Sequence, residues 1–566
     1  MPKLSQYEIE REANIARNRA LLEELELKQA VAGLGIPLPN PKAAIQTKAK
    51  PVQPKKRVKK EASEEAAPRR QSSRLKRAAI DPNESPAKRQ KREAELEEQR
   101  AKEAEERLEA EERARIANRP RVHDLDLPIL VGEDPEEVSS LSTTLQSLTQ
   151  TAYSRRVGDP EAFAFDSDKK HEAAVAELRE RLQSLKVVSR AKVTQDRVYS
   201  AAYHPEVTKD LIFFGDKHGQ LGIWDARAPP DEEADEDGEA VANVDGEGGK
   251  YWRLQVHWPA TSKSSISSVK FDPINAHKVY TSSYDGSIRS LSFTTGISHQ
   301  IYSTGDDTII TSIDLPPSGN EMWISDGLGG VTHLDLREDG FKTRWYGLSG
   351  TKVGCVSVNP TRPHFLVTAS NDRSLKIWDS RKLQGIAISL SDAAPGAAGL
   401  EFSTETVSNF LETGAGKACL RAEWRHDNAV SSAYWDPRGR SIVSTSYDNK
   451  LRLWDITSDK FGSSAPFPSS RPFSFVNHNC QTGRWVTVLK AQWSPNPDVY
   501  PHFTIGNMNH SLDIFSCKGD LVARLADKDK ITAVQAVTCS HPSIVERAAS
   551  GNASGRCVLW SKPSAD

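Results

Sequence analysis

The sequence predicts an all-β fold, a seven-bladed β-propeller, because one short phrase recurs seven times between residues 200 and 562. The clearest copies read GDKHGQLGIWD (215–225), ASNDRSLKIWD (369–379) and STSYDNKLRLWD (444–455). Weaker copies occupy 282–293, 325–335, 505–515 and 550–560. Their spacing fits four strands per unit, and the Trp-Asp ending is typical of WD repeats, in which each unit forms one blade of a ring.

Two local signals define strands within each unit. In the phrase itself, a turn with Asp or Asn precedes alternating apolar residues such as Leu375 and Ile377, which predicts the third strand of a blade. Upstream, an alternating run that ends at Pro or a turn predicts the innermost strand. These runs are VYSAAYHP (198–205), ISSVKFDP (266–273), VGCVSVNP (353–360), VSSAYWDP (430–437) and LKAQWSP (489–495).

The two ends of the ring are expected to join. The last phrase ends at Trp560, which leaves the seventh blade without an outermost strand, and SLKVVSRAKV (184–193) precedes the first innermost strand. We expect this segment to supply the missing strand, because such closure removes a free sheet edge.

Composition divides the chain into three parts. Residues 1–120 are expected to be a long, largely disordered, partly helical basic extension, 121–185 a partly helical lead-in, and 186–562 the propeller. No apolar run is long enough to span a membrane and no signal peptide is evident. Six cysteines without CxxC spacing indicate reduced thiols of an intracellular protein.

Basic clusters mark the extension. They read PKKRVKK (54–60), RRQSSRLKR (69–77) and AKRQKR (87–92), and serve as nuclear-import signals, as phosphate-neutralising arms or as a solvating linker. The candidate import residues are Lys55, Lys56, Arg57, Lys59, Lys60, Lys88, Arg89, Lys91 and Arg92. On either side, 7–27 reads as a partner-docking or transient helix, and 93–116 as a single charged helix or a coiled coil.

Three insertions interrupt the repeats, and we interpret all of them as disordered loop extensions. One is acidic (231–248), one is rich in Ala, Gly and Ser (390–416), and one is rich in Ser and Pro (459–472).

The candidate catalytic and metal-binding motifs in the sequence do not have the residue spacing that these sites require. The Gly-rich 412–420 lacks the first glycine of a phosphate-binding loop, and His478 with Cys480 reads as a surface loop rather than a zinc site. The turn carboxylates Asp285, Asp372 and Asp448 are expected to brace loops. The sequence therefore predicts a protein that is not an enzyme and needs no cofactor or metal.

Several segments together resemble a known family. They are SQYEIEREANIARNRALLEELEL (5–27), the RRQSSRLKR cluster, SSYDGSIRSLSF, GNEMWISDGLGGVTHLDLR and LVTASNDRSLKIWDSRK, in that order. In these the chain resembles the fungal DNA damage-binding WD-repeat proteins of the changed-mutation-rate type, related to the DNA-binding subunit of the UV-damaged-DNA-binding complex. The resemblance covers most of the chain. It implies a nuclear protein that binds single- and double-stranded DNA, prefers UV-damaged DNA, and acts in DNA metabolism and the damage response, with chromatin proteins as further partners. The alternative is a nuclear protein-interaction scaffold.

One rim of the ring is the candidate DNA-binding surface. Loops from the second to the third strand, and from each blade to the next, emerge on the same rim. Basic side chains in these loops could contact phosphates: Lys217, Lys263, Lys352, Arg373, Arg425, Lys450, Arg484, Lys528 and Lys530. Tyr284, Tyr447 and Trp485 could stack on an unpaired base. The alternative is a solvated rim of mixed charge, because carboxylates are interspersed.

The opposite rim carries a second pattern. Three third strands end in WDAR, LDLR and WDSR, which place Arg227, Arg337 and Arg381 two residues after Asp. These resemble the box by which some propellers dock on a cullin ubiquitin-ligase adaptor, and that docking would make the chain a substrate receptor. The alternative is that each arginine pairs with a carboxylate of its own blade.

Overall fold

The computed structural model describes residues 121–132, 134–148, 155–165, 167–229, 248–305, 308–337, 343–386, 399–462 and 465–563. The basic clusters, with every candidate import residue, and the segments 7–27 and 93–116 lie outside these ranges.

The described residues form the predicted seven-bladed β-propeller. Two strands precede the ring in the chain, β1 (Leu125–Asp126) and β2 (Lys186–Lys192). Blade 1 contains β3 (Val198–Tyr203), β4 (Leu211–Asp216), β5 (Gln220–Asp225) and β6 (Lys250–Gln255). Blade 2 contains β7 (Ile266–Phe271), β8 (Lys278–Ser283), β9 (Ser287–Ser292) and β10 (Ile297–Ser303), with β1 added outside β10. Blade 3 contains β11 (Ile310–Asp314), β12 (Glu321–Asp326), β13 (Gly330–Asp335) and β14 (Thr343–Gly347).

The remaining blades repeat this antiparallel order. Blade 4 contains β15 (Val353–Val358), β16 (Phe365–Ser370), β17 (Ser374–Asp379) and β19 (Leu420–Arg425), with β18 (Gly399–Phe402) lying between β17 and β19 in the chain. Blade 5 contains β20 (Val430–Trp435), β21 (Ser441–Ser446), β22 (Lys450–Asp455) and β23 (Ser474–Asn477). Blade 6 contains β24 (Gln492–Trp493), β25 (His502–Gly506), β26 (Leu512–Ser516) and β27 (Leu521–Leu525). Blade 7 contains β28 (Val537–Ser540), β29 (Arg547–Gly551) and β30 (Arg556–Ser561), and β2 is its outermost strand.

Ring closure follows the prediction. Strand β2 pairs antiparallel with β30, with Val187 opposite Trp560 and Ala191 opposite Cys557. All four of these side chains are buried. The segment before the first innermost strand thus completes the seventh blade.

Residues of the repeated phrase form the cores of the blades. The closing tryptophans Trp224, Trp378 and Trp560 are fully buried. All six cysteines are buried and unpaired: Cys355, Cys419, Cys480, Cys517, Cys539 and Cys557.

The turn carboxylates have the predicted bracing role. Asp285 accepts from the backbone N–H of Ser287 at 2.8 Å, and Asp372 accepts from that of Ser374 at 2.8 Å. Asp448 accepts from the backbone N–H of Lys450 at 3.1 Å. Each bond closes the turn before a third strand and fixes where that strand begins.

Three helices of the lead-in pack on the ring. They are α1 (Leu127–Val131), α2 (Pro135–Gln146) and α3 (Asp168–Leu182). Asp126 and Asp134 cap α1 and α2, each of which has Pro in its first turn. Leu141 and Leu145 of α2 join the core of blades 1 and 2. Val175, Leu178 and Leu182 of α3 join the core of blades 5 to 7, which fixes the approach to β2.

Between α2 and α3 a strap, residues 155–165, crosses the ring. The Arg155 N–H donates to the Pro273 carbonyl of blade 2 at 2.7 Å, and the Gly158 N–H donates to the Pro437 carbonyl of blade 5 at 3.0 Å. Both prolines follow innermost strands, so the strap runs over the end of the central channel at which those strands finish. It obstructs that end of the channel.

The insertion at 390–416 is not a simple loop, and our expectation for its second half was wrong. Strand β18 pairs parallel with β14 of blade 3, and α5 (Thr404–Glu412) follows it. Phe402 and Val407 are buried against blades 3 and 4. The short apolar runs of this segment lie among Ala, Gly and Ser, and the tertiary contact with blade 3 decides their structure.

The insertion at 459–472 is also partly ordered, again contrary to expectation. The short helix α6 (Ser458–Gly462) carries Phe461 into the core of blades 4 and 5, where Phe467 joins it. The Phe467 N–H donates to the Arg421 carbonyl at 2.8 Å. Most of the acidic insertion, 231–247, lies outside the described residues. The remaining helical elements are α4 (Ser380–Gln384) and a 3-10 turn (Ser262–Ser264).

Candidate nucleic-acid interface

Two faces of the ring follow from strand direction. We define the top face as the one where innermost strands begin and where second strands turn into third strands. The bottom face is the opposite one, which the strap crosses. All nine predicted cations, together with Tyr284, Tyr447 and Trp485, lie in loops or at strand ends of the top face.

Blade 4 contributes two adjacent arginines. Arg373 lies in the turn between β16 and β17, and Arg425 ends β19 opposite Ser374. The His426 N–H donates to the Arg373 carbonyl at 2.8 Å, which ties the two loops together. Both side chains are exposed, and in the described part of the chain no carboxylate lies within ion-pair distance of either. They form an uncompensated pair of positive charges.

The turn that holds Arg373 is strained. Equivalent turns in blades 1, 2, 3 and 7 place Gly219, Gly286, Gly329 and Gly555 at positive φ. Blades 4, 5 and 6 place non-glycine residues there, with φ of 75° at Arg373, 61° at Asn449 and 65° at His510. A residue with a Cβ costs about 1 kcal/mol or more in this region. Arg373 is therefore kept at a conformational cost.

Arg373→Gly is expected to leave the fold as stable as the native chain, or more stable by up to about 1 kcal/mol, because glycine relieves the positive φ. Urea unfolding followed by circular dichroism measures this. Asn371→Gly, in the same turn but not at the left-handed position, is the matched control and should destabilise slightly. A clear loss of stability in Arg373→Gly would show that the side chain supports the fold.

A long loop between β23 and β24 presents Arg484 and Trp485. The Gln481 side chain donates to the Tyr447 carbonyl at 2.8 Å on blade 5, and the Thr487 hydroxyl donates to the Val198 carbonyl at 2.6 Å on blade 1. Between these anchors Trp485 is 72% exposed, with the Arg484 guanidinium 5.4 Å from its ring centroid. A large aromatic ring is thus held outward on a loop fixed at both ends.

Other predicted cations are partly neutralised. The Lys450 ammonium lies 3.5 Å from the Asp427 carboxylate. Lys528 and Lys530 alternate with Asp527 and Asp529. Lys217 is half-buried and Lys263 is exposed. The interpretation as a mixed-charge rim therefore fits blades 5 and 6 better than blade 4.

Tyr284 is half-buried and already packed against two neighbouring side chains. The Lys352 ammonium lies 5.2 Å from its ring centroid, and Tyr199 packs edge-on at 6.1 Å. Burial raises the pKa of Tyr284 to about 12. Lys352 itself is half-buried beside this ring. Tyr447 is half-buried, which leaves Trp485 as the exposed aromatic of the three.

Sequence reasoning overlooked Arg197 and Lys490. Arg197 lies just before β3 on the top face, and its guanidinium donates to the Arg484 carbonyl at 3.2 Å. Its place between blades 7 and 1 follows from the same strand mapping that located the other cations. Lys490 precedes β24 inside the channel, and its VLKAQW context reads as an ordinary strand.

The bottom-face arginines each pair with a carboxylate of their own blade, as the alternative interpretation held. The Arg337 Nε lies 2.9 Å from Asp335, and the Arg381 Nε lies 2.9 Å from Asp379. Hydrogen bonds from Arg337 lower the pKa of Asp335 to about 2, so this pair stays charged near neutral pH. The side chains of Arg337 and Arg381 are nevertheless 67% and 61% exposed.

Arg227 differs from these two. Its guanidinium pairs with the fully buried Asp210 and donates to the Ser561 hydroxyl at 2.8 Å. It ties blade 1 to the end of blade 7, and its side chain is only 33% exposed.

His478 is a buried structural residue, not the surface-loop residue we expected. Its Nε2 bonds to the Gly506 carbonyl at 2.9 Å, and burial lowers its pKa. Across the described ranges, no three His, Cys, Asp or Glu side chains are grouped so that they could hold a metal ion. Within the same ranges, no helix has the length and apolar character needed to cross a membrane.

The fold and its repeated Trp-Asp endings define a WD-repeat propeller. The profile of the WD domain, G-beta repeat family matches residues 343–379 and 418–455. The chain is 38% identical to DNA damage-binding protein CMR1 of Cryptococcus neoformans, with 99% of each chain covered. It is 31% identical to the protein of that name from Mycosarcoma maydis, covering 99% of this chain and 100% of the relative, and 32% identical to that of Neurospora crassa, covering 98% of each. The chain therefore belongs to the CMR1 family of WD-repeat proteins, and the resemblance predicted from its sequence is confirmed.

Proposed function

We propose that this chain is a nuclear DNA-binding protein of the DNA damage response. It binds single- and double-stranded DNA through the top face and prefers UV-damaged DNA. Its relatives carry the name DNA damage-binding protein, which supports the general role. The observation that carries the proposal is the set of exposed cations Arg373, Arg425 and Arg484 on the same face as the outward-held Trp485.

The proposed roles of these side chains differ. Arginine forks contact phosphate oxygens, which orients the duplex without reading its sequence. The exposed indole stacks on a base that has lost its pairing, and a lesion weakens pairing and so lowers the cost of displacing the base. Binding of this kind needs no nucleophile or general base, so the proposed role is recognition rather than catalysis. Nuclear import is assigned to the basic clusters of the extension, and chromatin proteins are proposed partners.

Neutralising the three arginines tests the proposal. The full-length variant Arg373→Gly, Arg425→Gln, Arg484→Gln is expected to bind irradiated and intact duplexes more weakly by similar factors. The slope of log K against log salt should also become shallower by about three, because about one counterion is released per phosphate contact. Competition binding at several salt concentrations measures both quantities.

The double variant Arg337→Gln, Arg381→Gln is the matched control, because it removes exposed arginines from the bottom face. It should bind DNA as the native chain does. If the top-face variant also keeps full affinity while deletion of residues 1–120 abolishes binding, the extension is the DNA-binding element and the ring is a scaffold.

A second function is favoured by the exposed arginines of blades 3 and 4. Arg337 and Arg381 lie on neighbouring blades and are held in fixed orientation by Asp335 and Asp379. We propose this pair as the docking point for a cullin ubiquitin-ligase adaptor, which would make the chain a substrate receptor.

Arg337→Ala with Arg381→Ala is expected to abolish co-precipitation with that adaptor while leaving DNA binding unchanged. The Arg→Lys pair keeps the charge but loses the planar fork and should bind weakly. Retained adaptor binding by the alanine variant would refute the assignment.

A further inference from the structure

The central channel is a cavity of about 240 Å³ enclosed by the innermost strands. On the bottom face the strap crosses the channel. Arg155 and Arg156 of the strap line the cavity together with Pro273 and Pro437, whose carbonyls accept the strap's backbone hydrogen bonds. The strap thus obstructs the bottom end of the channel.

The positive charge at the floor of this pocket is only partly neutralised. Asp314 is the one carboxylate among the described residues that line it. The Lys270 ammonium and the Arg155 guanidinium lie 3.5 Å and 3.6 Å from that carboxylate. The Val358 N–H donates to Asp314 Oδ2 at 2.9 Å, whereas Asp314 Oδ1 faces the two cations without a hydrogen bond from any described residue.

Nearer the top face two lysines have no such partner. Lys490 lines the cavity two residues before β24. Lys352 lies outside the cavity lining, one residue before β15, and its ammonium is 5.2 Å from the ring centroid of Tyr284, which packs on the lining residue Tyr199. Over the ranges that the structure describes, no carboxylate lies within ion-pair distance of either ammonium group. Burial, and then repulsion from Lys490, lowers the pKa of Lys352, while burial and Lys270 lower that of Lys490. Both lysines are half-buried, so each ammonium group has lost part of its hydration.

Such an arrangement is costly when empty. A half-buried cation without a counter-charge loses part of its hydration, and at Lys352 the ring of Tyr284 replaces that loss only in part. A dianion between the two ammonium groups would supply the missing charge and accept hydrogen bonds from both. Lysine is a common ligand of phosphate as a point charge.

We propose that the channel binds a phosphate group that enters from the top face and is held between Lys490 and Lys352. The ligand is a phosphate monoester or inorganic phosphate, and Tyr199 and Tyr284 form the rim of its entrance. This site does not require that the top face binds duplex DNA. If it does, the same pocket accepts the phosphorylated end of a strand.

The test is thermal unfolding of the full chain with inorganic phosphate or pyrophosphate, against chloride at equal ionic strength. We expect the native midpoint to rise by about 2 °C or more at saturating ligand. Lys490→Met keeps the aliphatic length and removes the charge, so it should fold with an unchanged or higher midpoint and lose that rise. Lys352→Met should weaken phosphate binding by about tenfold or more. This variant tests the proposal if Lys490→Met fails to fold.

Lys528→Met, on the outer rim, is the matched control and should keep the full response. Equal responses in the native chain and both channel variants, or no response in the native chain, would overturn the proposal.

A second arm compares oligonucleotides with a 5′-phosphate and a 5′-hydroxyl. A preference for the phosphate that Lys490→Met abolishes identifies a strand end as the source, and equal binding with a retained phosphate response identifies a free phosphate. Loss of duplex binding with a retained phosphate response would reject the proposed function and leave the channel site standing.

Discussion

Val187→Asp combined with Ala191→Asp is expected to abolish cooperative unfolding of the ring. Both side chains are buried at the interface of β2 with β30, opposite Trp560 and Cys557. An unpaired buried carboxylate costs several kcal/mol, and two of them approach the whole stability of a typical domain, about 5–15 kcal/mol. The closing strand would be displaced, which leaves β30 as a free edge prone to pairing with other chains.

Circular dichroism during urea unfolding and size-exclusion chromatography measure this effect. Lys186→Asp with Lys192→Asp is the matched control, because both lysines are exposed at the ends of the same strand. The control should unfold cooperatively and elute as the native chain does. A sharp transition with an unchanged midpoint in the buried variant would mean that β2 contributes little to closure.

The propeller could be read from the sequence because its determinants are local. Each unit repeats an alternation like that of Leu375 and Ile377 and a turn aspartate or asparagine like Asp372, with little dependence on the rest of the chain. Closure by 184–193 followed from counting strands. The positions of the cations on one face followed from the same count.

The strap and β18 could not be predicted in this way, because distant contacts determine them. The Arg438 guanidinium donates to the Ala162 carbonyl at 2.8 Å across a separation of 276 residues. Strand β18 pairs parallel with β14 of the preceding blade. Neither segment carries a periodic pattern of its own, so composition suggested a lead-in and a loop.

The sequence also could not show which cations of the candidate site are neutralised by carboxylates. Lys450 finds Asp427 and Lys352 covers Tyr284, whereas Arg373 and Arg425 find no carboxylate in the described part of the chain. Which cations pair depends on side-chain geometry that strand order does not specify. The arginines of blade 4 and Arg484, whose loop also presents Trp485, are thus exposed cations of the predicted rim without a carboxylate partner among the described residues.

Trp485→Ala is expected to lower the preference for irradiated over intact DNA by about 5-fold to 100-fold. Stacking on an unpaired base contributes about 1–3 kcal/mol, and only a weakened pair releases its base at low cost. The affinity for intact duplex should change little, because the arginines supply the phosphate contacts. Stability should also be nearly unchanged, because the indole is 72% exposed and packs mainly against Arg484. Competition between matched irradiated and intact duplexes measures the preference directly.

Phe473→Ala is the matched control, because Phe473 is 50% exposed just before β23, at the bottom face. It should leave both affinities unchanged, and Trp485→Phe should keep part of the preference because a smaller ring still stacks. Tyr447→Ala is expected to have a weaker effect than Trp485→Ala, since Tyr447 is half-buried. An equal loss of affinity for both duplexes in Trp485→Ala would make the indole a positioning contact, and recognition of the lesion would then have to come from deformation of the duplex across the top face.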